Sequence, residues 1–416
     1  MERTFDDDQL RTAYGYLLGR ALVVRQERRD LAEEGVDYNV IKHNPLGSAE
    51  FVNPNFDVAY LEAWVAVDDE TPVLLEIPRI EGRYYTAQFL DEWGEVIVNI
   101  NERNFPDHPS GTFALVAPGA AASVPDGAVP IELHSDKAKM LARVELQDSP
   151  DDAVDLARQF TLRSVGTPRI APTIAIDDFD NQHLADVGLF DHANELIDAA
   201  SDVCGATAEP QRLARSVAAY VASSPEARAE IDRAIHADVV PWFLAYAVTK
   251  SGVFRNGWLG TITVGNYGDD YLIRSAANLV GIWANSASEC IYFVGTRGGD
   301  GQPLDGSRSY RLHFGPGDVP AEAVDGYWSI ILVSLPDYRV IPNPDDRFNL
   351  NSYSPLEFGD DGSLDLYCSP VAPDGPRRAN WLPTPDGHPF SLTFRTYIPR
   401  ANVRAGEWFP PAIESD

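Results

Sequence analysis

Cysteine is nearly missing from this chain. The three that occur, Cys204, Cys290 and Cys368, are widely spaced and odd in number, so they form neither a disulfide framework nor a CxxC metal pair. Lysine is confined to Lys42, Lys137, Lys139 and Lys250, and arginine supplies the rest of the 33 basic residues. Against 63 acidic residues this leaves a net charge of −30, a surface that repels nucleic acid and anionic membranes. No apolar run approaches the roughly 20 residues that span a bilayer. Residues 1–10 lack the basic start and apolar stretch of a secretory signal, so the cytoplasm is the expected compartment. There is no Gly-x-Ser-x-Gly elbow, no phosphate-binding Gly-x-x-x-x-Gly-Lys, and no glycine-rich strand-to-helix loop. Gly295, Gly298, Gly299 and Gly301 read as a hairpin. The histidines, at 43, 108, 134, 183, 192, 236, 313 and 388, show no i, i+2 or i, i+4 pair that converges on zinc. The expectation is therefore a protein with no metal and no cofactor.

What is present segregates along the chain. Asp7–Glu34 has the i, i+3, i+4 apolar spacing of a helix (Leu10, Ala13, Tyr14, Leu17, Leu18, Ala21) behind an acidic start. Strand-like runs follow at Ala59–Val67, Val73–Ile77, Tyr84–Leu90, Val96–Ile100, Thr112–Ala117, Val129–Leu133 and Lys139–Glu145, separated by Pro/Gly/Asp turns. Such spacing predicts an antiparallel sandwich. Helical texture then runs from Ser149 to Trp283: a helix capped by Asp151 or Asp152 and continuing through Arg163, then Asn181–Cys204, Pro210–Val221, Pro225–Ala247 and Asp269–Trp283. Strands return at Cys290–Thr296, Ser309–Phe314, Tyr327–Leu335, Ser363–Tyr367 and Phe390–Tyr397. The expected organisation is mainly β with a helical insert: residues 1–148 a helix and β domain, 149–285 helical, 286–416 a second β domain.

The segment from Phe51 to Trp93 concentrates the polar chemistry. An Asn53-Pro54-Asn55 turn leads to Asp57, Tyr60, Glu62 and Trp64, and a second run holds Arg83, Tyr84, Tyr85, Gln88, Asp91 and Trp93. Strand alternation puts Tyr60, Glu62 and Trp64 on one face and Ala59, Leu61 and Ala63 on the other. Val73–Ile77 is expected to join the two runs into one sheet.

The ordered motifs AYGYLLG, NPNFDVAYLEAW, GRYYTAQFLDEW and GTFALVAPG resemble the bacterial domain of unknown function twelve-fifty-four. DGQPLDGSRSYRLHF, GYWSIILVSLPDYRVIPNPDDRF, DGSLDLY, ANWLPTPDG and FSLTFRTYIPR resemble its usual partner, domain of unknown function twelve-fourteen. The resemblance implies an immunoglobulin-like β-sandwich, a helical insert and a jelly-roll-like β domain, and it implies no activity. Many relatives read Pro-Asn-Asn-Asp where this chain has Pro54-Asn55-Phe56-Asp57, and many begin with a secretion signal.

The functional expectation is an enzyme working by acid–base chemistry, of lyase, isomerase or hydrolase type, on a small carbonyl- or carboxylate-bearing molecule. Its pocket is expected between the first β domain and the helical insert. Arg83 would orient the substrate, Asp57 would act as base and Tyr60 or Tyr85 as proton donor. Asn55, Glu62, Trp64, Gln88, Asp91, Trp93 and Arg347 would contact it, with Asn380 and Arg395 as further candidates. Each has a plainer reading: Arg347 tying a Pro-rich loop to carbonyls, Asn380-Trp381 plugging a loop, Asp57 capping backbone amides. The rivals are a β protein binding carbohydrate or a small ligand without turnover, stacking it on Trp64, Tyr84 and Trp93, and an assembly protein whose sheets pair into a homo-oligomer.

Overall fold

The computed structural model describes residues 2–47, 54–120, 124–335, 338–343 and 345–416; Asn53 lies outside them. Helix α1 (Asp7–Leu31) starts in a capping box, Asp6 accepting from the Gln9 amide while the Gln9 side chain takes the Asp6 amide. Nearly every residue from Ala13 to Arg25 is buried, so this helix is a central rod rather than a surface one.

Nine strands follow: β1 (Lys42–His43), β2 (Val58–Ala66), β3 (Val73–Ile77), β4 (Tyr85–Leu90), β5 (Val96–Ile100), β6 (Gly111–Val116), β7 (Val129–Glu132), β8 (Lys137–Glu145) and, after helix α2 (Pro150–Ala157), β9 (Thr161–Ser164). They make two sheets, ordered β1-β2-β8-β4-β5 and β7-β6-β3-β9. The expectation that Val73–Ile77 bridges β2 and β4 is corrected: β8 lies between them, and β3 belongs to the other sheet. The helix expected to continue through Arg163 ends at Ala157, because Thr161–Ser164 pairs with β3. The two sheets share one core, with Leu61, Val65, Phe89, Met140 and Val144 meeting Val73, Leu75, Phe113 and Leu115.

The middle of the chain supplies α3 (Ala193–Asp198), α4 (Ala208–Val221), α5 (Pro225–Ala234), α6 (Val240–Lys250) and α7 (Tyr271–Gly281). Of the helix expected at Asn181–Cys204, only a 3₁₀ turn at Val187–His192 and α3 form. A π-turn at Ile235–Val239 joins α5 to α6, where Pro241 has no amide to donate. These helices pack around α1 in one apolar cluster. Gly19 permits the closest approach, since a Cβ there would lie 2.2 Å from Ser275 Oγ on α7.

The remaining strands are β10 (Val253–Arg255), β11 (Trp258–Gly260), β12 (Cys290–Gly295), β13 (Tyr310–Phe314), β14 (Trp328–Ser334), β15 (Asn349–Asn351), β16 (Leu364–Ser369), β17 (Trp381–Pro383), β18 (Phe390–Tyr397) and, beyond a short helix α8 (Ala401–Arg404), β19 (Glu414–Ser415). Their sheets run β10-β11-β12-β18-β14-β15 and β17-β16-β13-β19. Ile291, Phe293, Ile330, Leu332, Leu392 and Phe394 bury against Leu312, Phe314, Leu364 and Leu366. Among the described residues the fold thus has four sheets, with helices on and between them, and no helix is long and apolar enough to cross a membrane.

Candidate functional site

Each large sheet spends one face on its apolar core, and period-two alternation leaves the other face to residues of different character. On the first sheet that second face carries Tyr60, Glu62 and Trp64 of β2, which register against Arg143, Leu141 and Lys139 of β8. Thr86 and Gln88 of β4 continue two of these rows. On the six-stranded sheet, Tyr292 of β12 registers against Arg395 of β18, which in turn faces Ser329 of β14. The two faces meet: Val58 and Tyr84 cluster with Cys290, Tyr327 and Tyr397, and Tyr60 and Tyr292 pack alongside. Three tyrosines lock this contact, with Tyr327 stacked on Tyr397 at 4.1 Å and Tyr84 edge-on to both.

Two arginines are buried here. Arg143 is 1% exposed; its Nη2 donates to Gln88 Oε1 (2.7 Å) and its guanidinium sits 5.4 Å from the Tyr60 ring. Among the described residues no carboxylate pairs with it, and its Nε donates to nothing. Burial works against the charge, while Tyr60, Tyr292, Tyr84 and Tyr397 favour it; the balance holds its pKa above the ordinary arginine value. Arg395, 4% exposed, donates through Nη2 to the Pro54 carbonyl (3.2 Å) and lies near the same phenols. A buried guanidinium without a matching carboxylate, which among the described residues is the case for Arg143, is costly to the fold. Such a site attracts an anion.

Tyr60, Glu62, Leu141 and Tyr292 are half-buried on a face whose other members are mostly buried. Asn55 spans the two sheets, its Nδ2 donating to Tyr60 Oη (3.0 Å) and Tyr397 Oη (2.8 Å). Each phenol thus accepts one bond and keeps its own hydrogen to donate. Burial raises the pKa of Tyr292 and of Tyr397, so both stay protonated.

The expected site residues divide. Asn55, Tyr60 and Gln88 lie beside Arg143 and the tyrosines where the two faces meet, and Gln88 also donates to the Ala284 carbonyl (2.7 Å). Glu62 lies one row along, paired with Lys139 (2.6 Å) and accepting from Asn44 (2.9 Å). Trp64 is buried behind it, donating to Asp30 (2.9 Å) and edge-on to Trp283. Asp57 is 3% exposed, and its Oδ1 accepts from Asn349 and Asn351, both at 2.9 Å. Burial raises its pKa, opposed chiefly by the Arg395 charge.

The others sit elsewhere. Arg83 donates to the Glu145 and Leu146 carbonyls and, with Tyr85, lines an open groove of about 840 Å³ that also includes Arg79, Glu102 and Tyr353. Among the described residues no ion pair joins it to Asp57. Asp91 holds a turn, accepting from the Trp93 and Glu95 amides and contacting His134 (2.8 Å). Trp93 is fully buried in the helical core beside Tyr16. Arg347 donates to the Arg378, Ala379 and Trp381 carbonyls, and Asn380 to those of Glu357 and Asp365. Sequence reasoning missed Arg143. The visible signal was the even spacing of Lys137, Lys139 and Arg143 on a strand, a charged row opposite Tyr60, Glu62 and Trp64.

The comparisons agree with this layout. Residues 38–164 match the family model Protein of unknown function (DUF1254), and residues 289–401 match Protein of unknown function (DUF1214). Among solved structures, the VPA0106 protein of Vibrio parahaemolyticus is 18% identical, with a TM-score of 0.73 over 99% of both chains, and so shares the fold. An uncharacterized protein from Burkholderia cenocepacia is 13% identical, with a TM-score of 0.46 over 98% of this chain and 94% of that one. No curated protein matches. With both units present in that order, the chain belongs to the two-domain family of unknown function that joins DUF1254 to DUF1214.

Proposed function

We propose that the chain binds a small organic carboxylate between the faces of β2/β8 and β12/β18, with Arg143 receiving the anionic head. One observation carries this: Arg143 is buried without a carboxylate among the described residues. The reading extends to acid–base catalysis of lyase, isomerase or hydrolase type, with the Tyr60 hydroxyl as proton donor beside the bound head. Asp57, ringed by asparagines, moves in this reading from general base to counter-charge for Arg395. The finer architecture belongs to the same proposal: an immunoglobulin-like sandwich that keeps β9, a helical unit built around α1, and a jelly-roll-like unit that keeps β10 and β11, so the expected limits at 148 and 286 shift.

A second reading, binding without turnover, is favoured by the engagement of both nearby carboxylates, Asp57 with Asn349 and Asn351, and Glu62 with Lys139. Stacking of a sugar on Trp64, Tyr84 and Trp93 is disfavoured, since all three are buried. Calorimetric titration with acetate, lactate and benzoate tests the anion site. At least one should bind the unmodified protein, and Arg143→Met should abolish that binding while leaving the melting temperature equal or higher, as expected when a lone buried charge gives way to an apolar chain. Binding undiminished in Arg143→Met would sink the proposal.

A further inference from the structure

The face of β8 beyond Arg143 has a graded character that the anion site alone does not use. Side chains two apart on one strand face are separated by about 7 Å. One such step from Arg143 stands Leu141, half-buried and outside the core cluster that holds its neighbours Met140 and Ala142. Across the strand pair from Leu141 is Glu62, also half-buried. Its Oε1 accepts from Asn44 and its Oε2 from Lys139, so its charge is already matched, while a carboxylate retains lone pairs for another donor. A second step along, the face is closed. Lys139 is 2% exposed on its side chain, paired with Asp30 (2.7 Å), and lies 5.2 Å from the Trp64 ring and 5.8 Å from that of Trp283.

Read from one end, the strip is cationic at Arg143, apolar at Leu141, hydrogen-bond accepting at Glu62, and walled by two tryptophans. We infer that the cleft selects a short amphipathic carboxylate: its head on Arg143, an apolar stretch on the order of 7 Å lying over Leu141, and a hydroxyl donating to Glu62. A hydroxyl suits this acceptor better than an ammonium, because Lys139 has already neutralised it. Leu141, Glu62 and the Trp64–Trp283 pair act here as specificity residues rather than catalytic ones. This inference rests on the anion-site reading above.

The test titrates the unmodified protein with acetate, hexanoate, ω-hydroxyhexanoate and decanoate. Hexanoate should bind on the order of tenfold or more tighter than acetate through its added methylenes. The ω-hydroxy acid should bind several-fold tighter again, and decanoate should lose affinity against the tryptophan wall. In Glu62→Ala the preference for ω-hydroxyhexanoate over hexanoate should vanish; if that variant does not fold, the four affinities of the unmodified protein decide. No binding by any of the four overturns both this inference and the anion site. Acetate binding as tightly as hexanoate, or decanoate binding more tightly than hexanoate, overturns only the selection along β8 and leaves the anion site standing.

Discussion

Tyr60 on the first sheet and Tyr397 on the last are held by the two hydrogens of one amide, that of Asn55, at 3.0 and 2.8 Å. The same Asn55 accepts the Asp57 amide through its oxygen (2.9 Å), so one side chain sets the turn and spans the sheets. Asn55→Ala should cost about 1–3 kcal/mol, the range for buried polar groups losing a partner. It should also weaken carboxylate binding, because Tyr60 loses the bond that orients its hydroxyl. Chemical denaturation and calorimetry check the two effects separately.

Asp57→Asn should shift stability by no more than about 1–3 kcal/mol, since burial and the Arg395 charge act on the carboxylate in opposite directions and burial is the larger. Asn351 and Asn349 would still find an amide oxygen to donate to, so the loss is electrostatic rather than steric. A variant melting many degrees below the parent would show that Arg395 depends on the Asp57 charge far more than this balance allows.

Much of the architecture was legible in local pattern, and the site was not. The strands carrying the site lie within two residues of their expected limits, because alternation and turn residues are local signals. Strand order is not local. Nothing near Val73–Ile77 indicates that β8, whose first residue is Lys137, slots between β2 and β4. Arg143 is meaningful only in that register, opposite Tyr60 and Thr86, so a reading confined to the Phe51–Trp93 segment passed over it. The same limit explains Asp91 and Trp93. They follow β4 in sequence, but the turn after Leu90 sends Trp93 into the helices. Arg395 was within reach as a candidate, yet its facing sheet was not.

Glu92 gives a pH dependence with a definite sign. Its carboxyl is pushed up to about 7, chiefly by burial, against the opposing charge of Arg20, whose Nη2 lies 2.8 Å away. The folded state therefore binds a proton more tightly than the unfolded chain, where a glutamate titrates near 4.3. The stabilisation is fully present below about 4.3 and is lost as pH rises through about 7. Relative to the parent, Glu92→Gln should flatten the fall in stability between pH 5 and 8 by about 1–3 kcal/mol. Denaturant midpoints across that range measure it, and parallel curves would refute the assignment.

The acidic surface predicts a salt response. With a net charge of −30, self-repulsion strains the compact state at low ionic strength. Melting temperature should climb between dilute buffer and about 0.5 M sodium chloride, as the Debye length shrinks well below 10 Å. An unchanged midpoint would mean that the charges are too evenly spread, or too well paired, to matter.

The central helix α1 has a consequence for the order in which the molecule assembles. It is translated before every element it packs on, yet its main partners, α4 and α7, begin only at Ala208 and Tyr271. While both β2 and β8 are being made, its apolar flank from Leu10 to Val24 lacks the helices that cover most of it, with Trp93 the main native contact already available. A ribosome-bound intermediate stalled before Ala208 should therefore expose that flank and recruit holdase chaperones. Release of the helical segment would end the exposure, making a helix that emerges ahead of its partners one of the last to be buried.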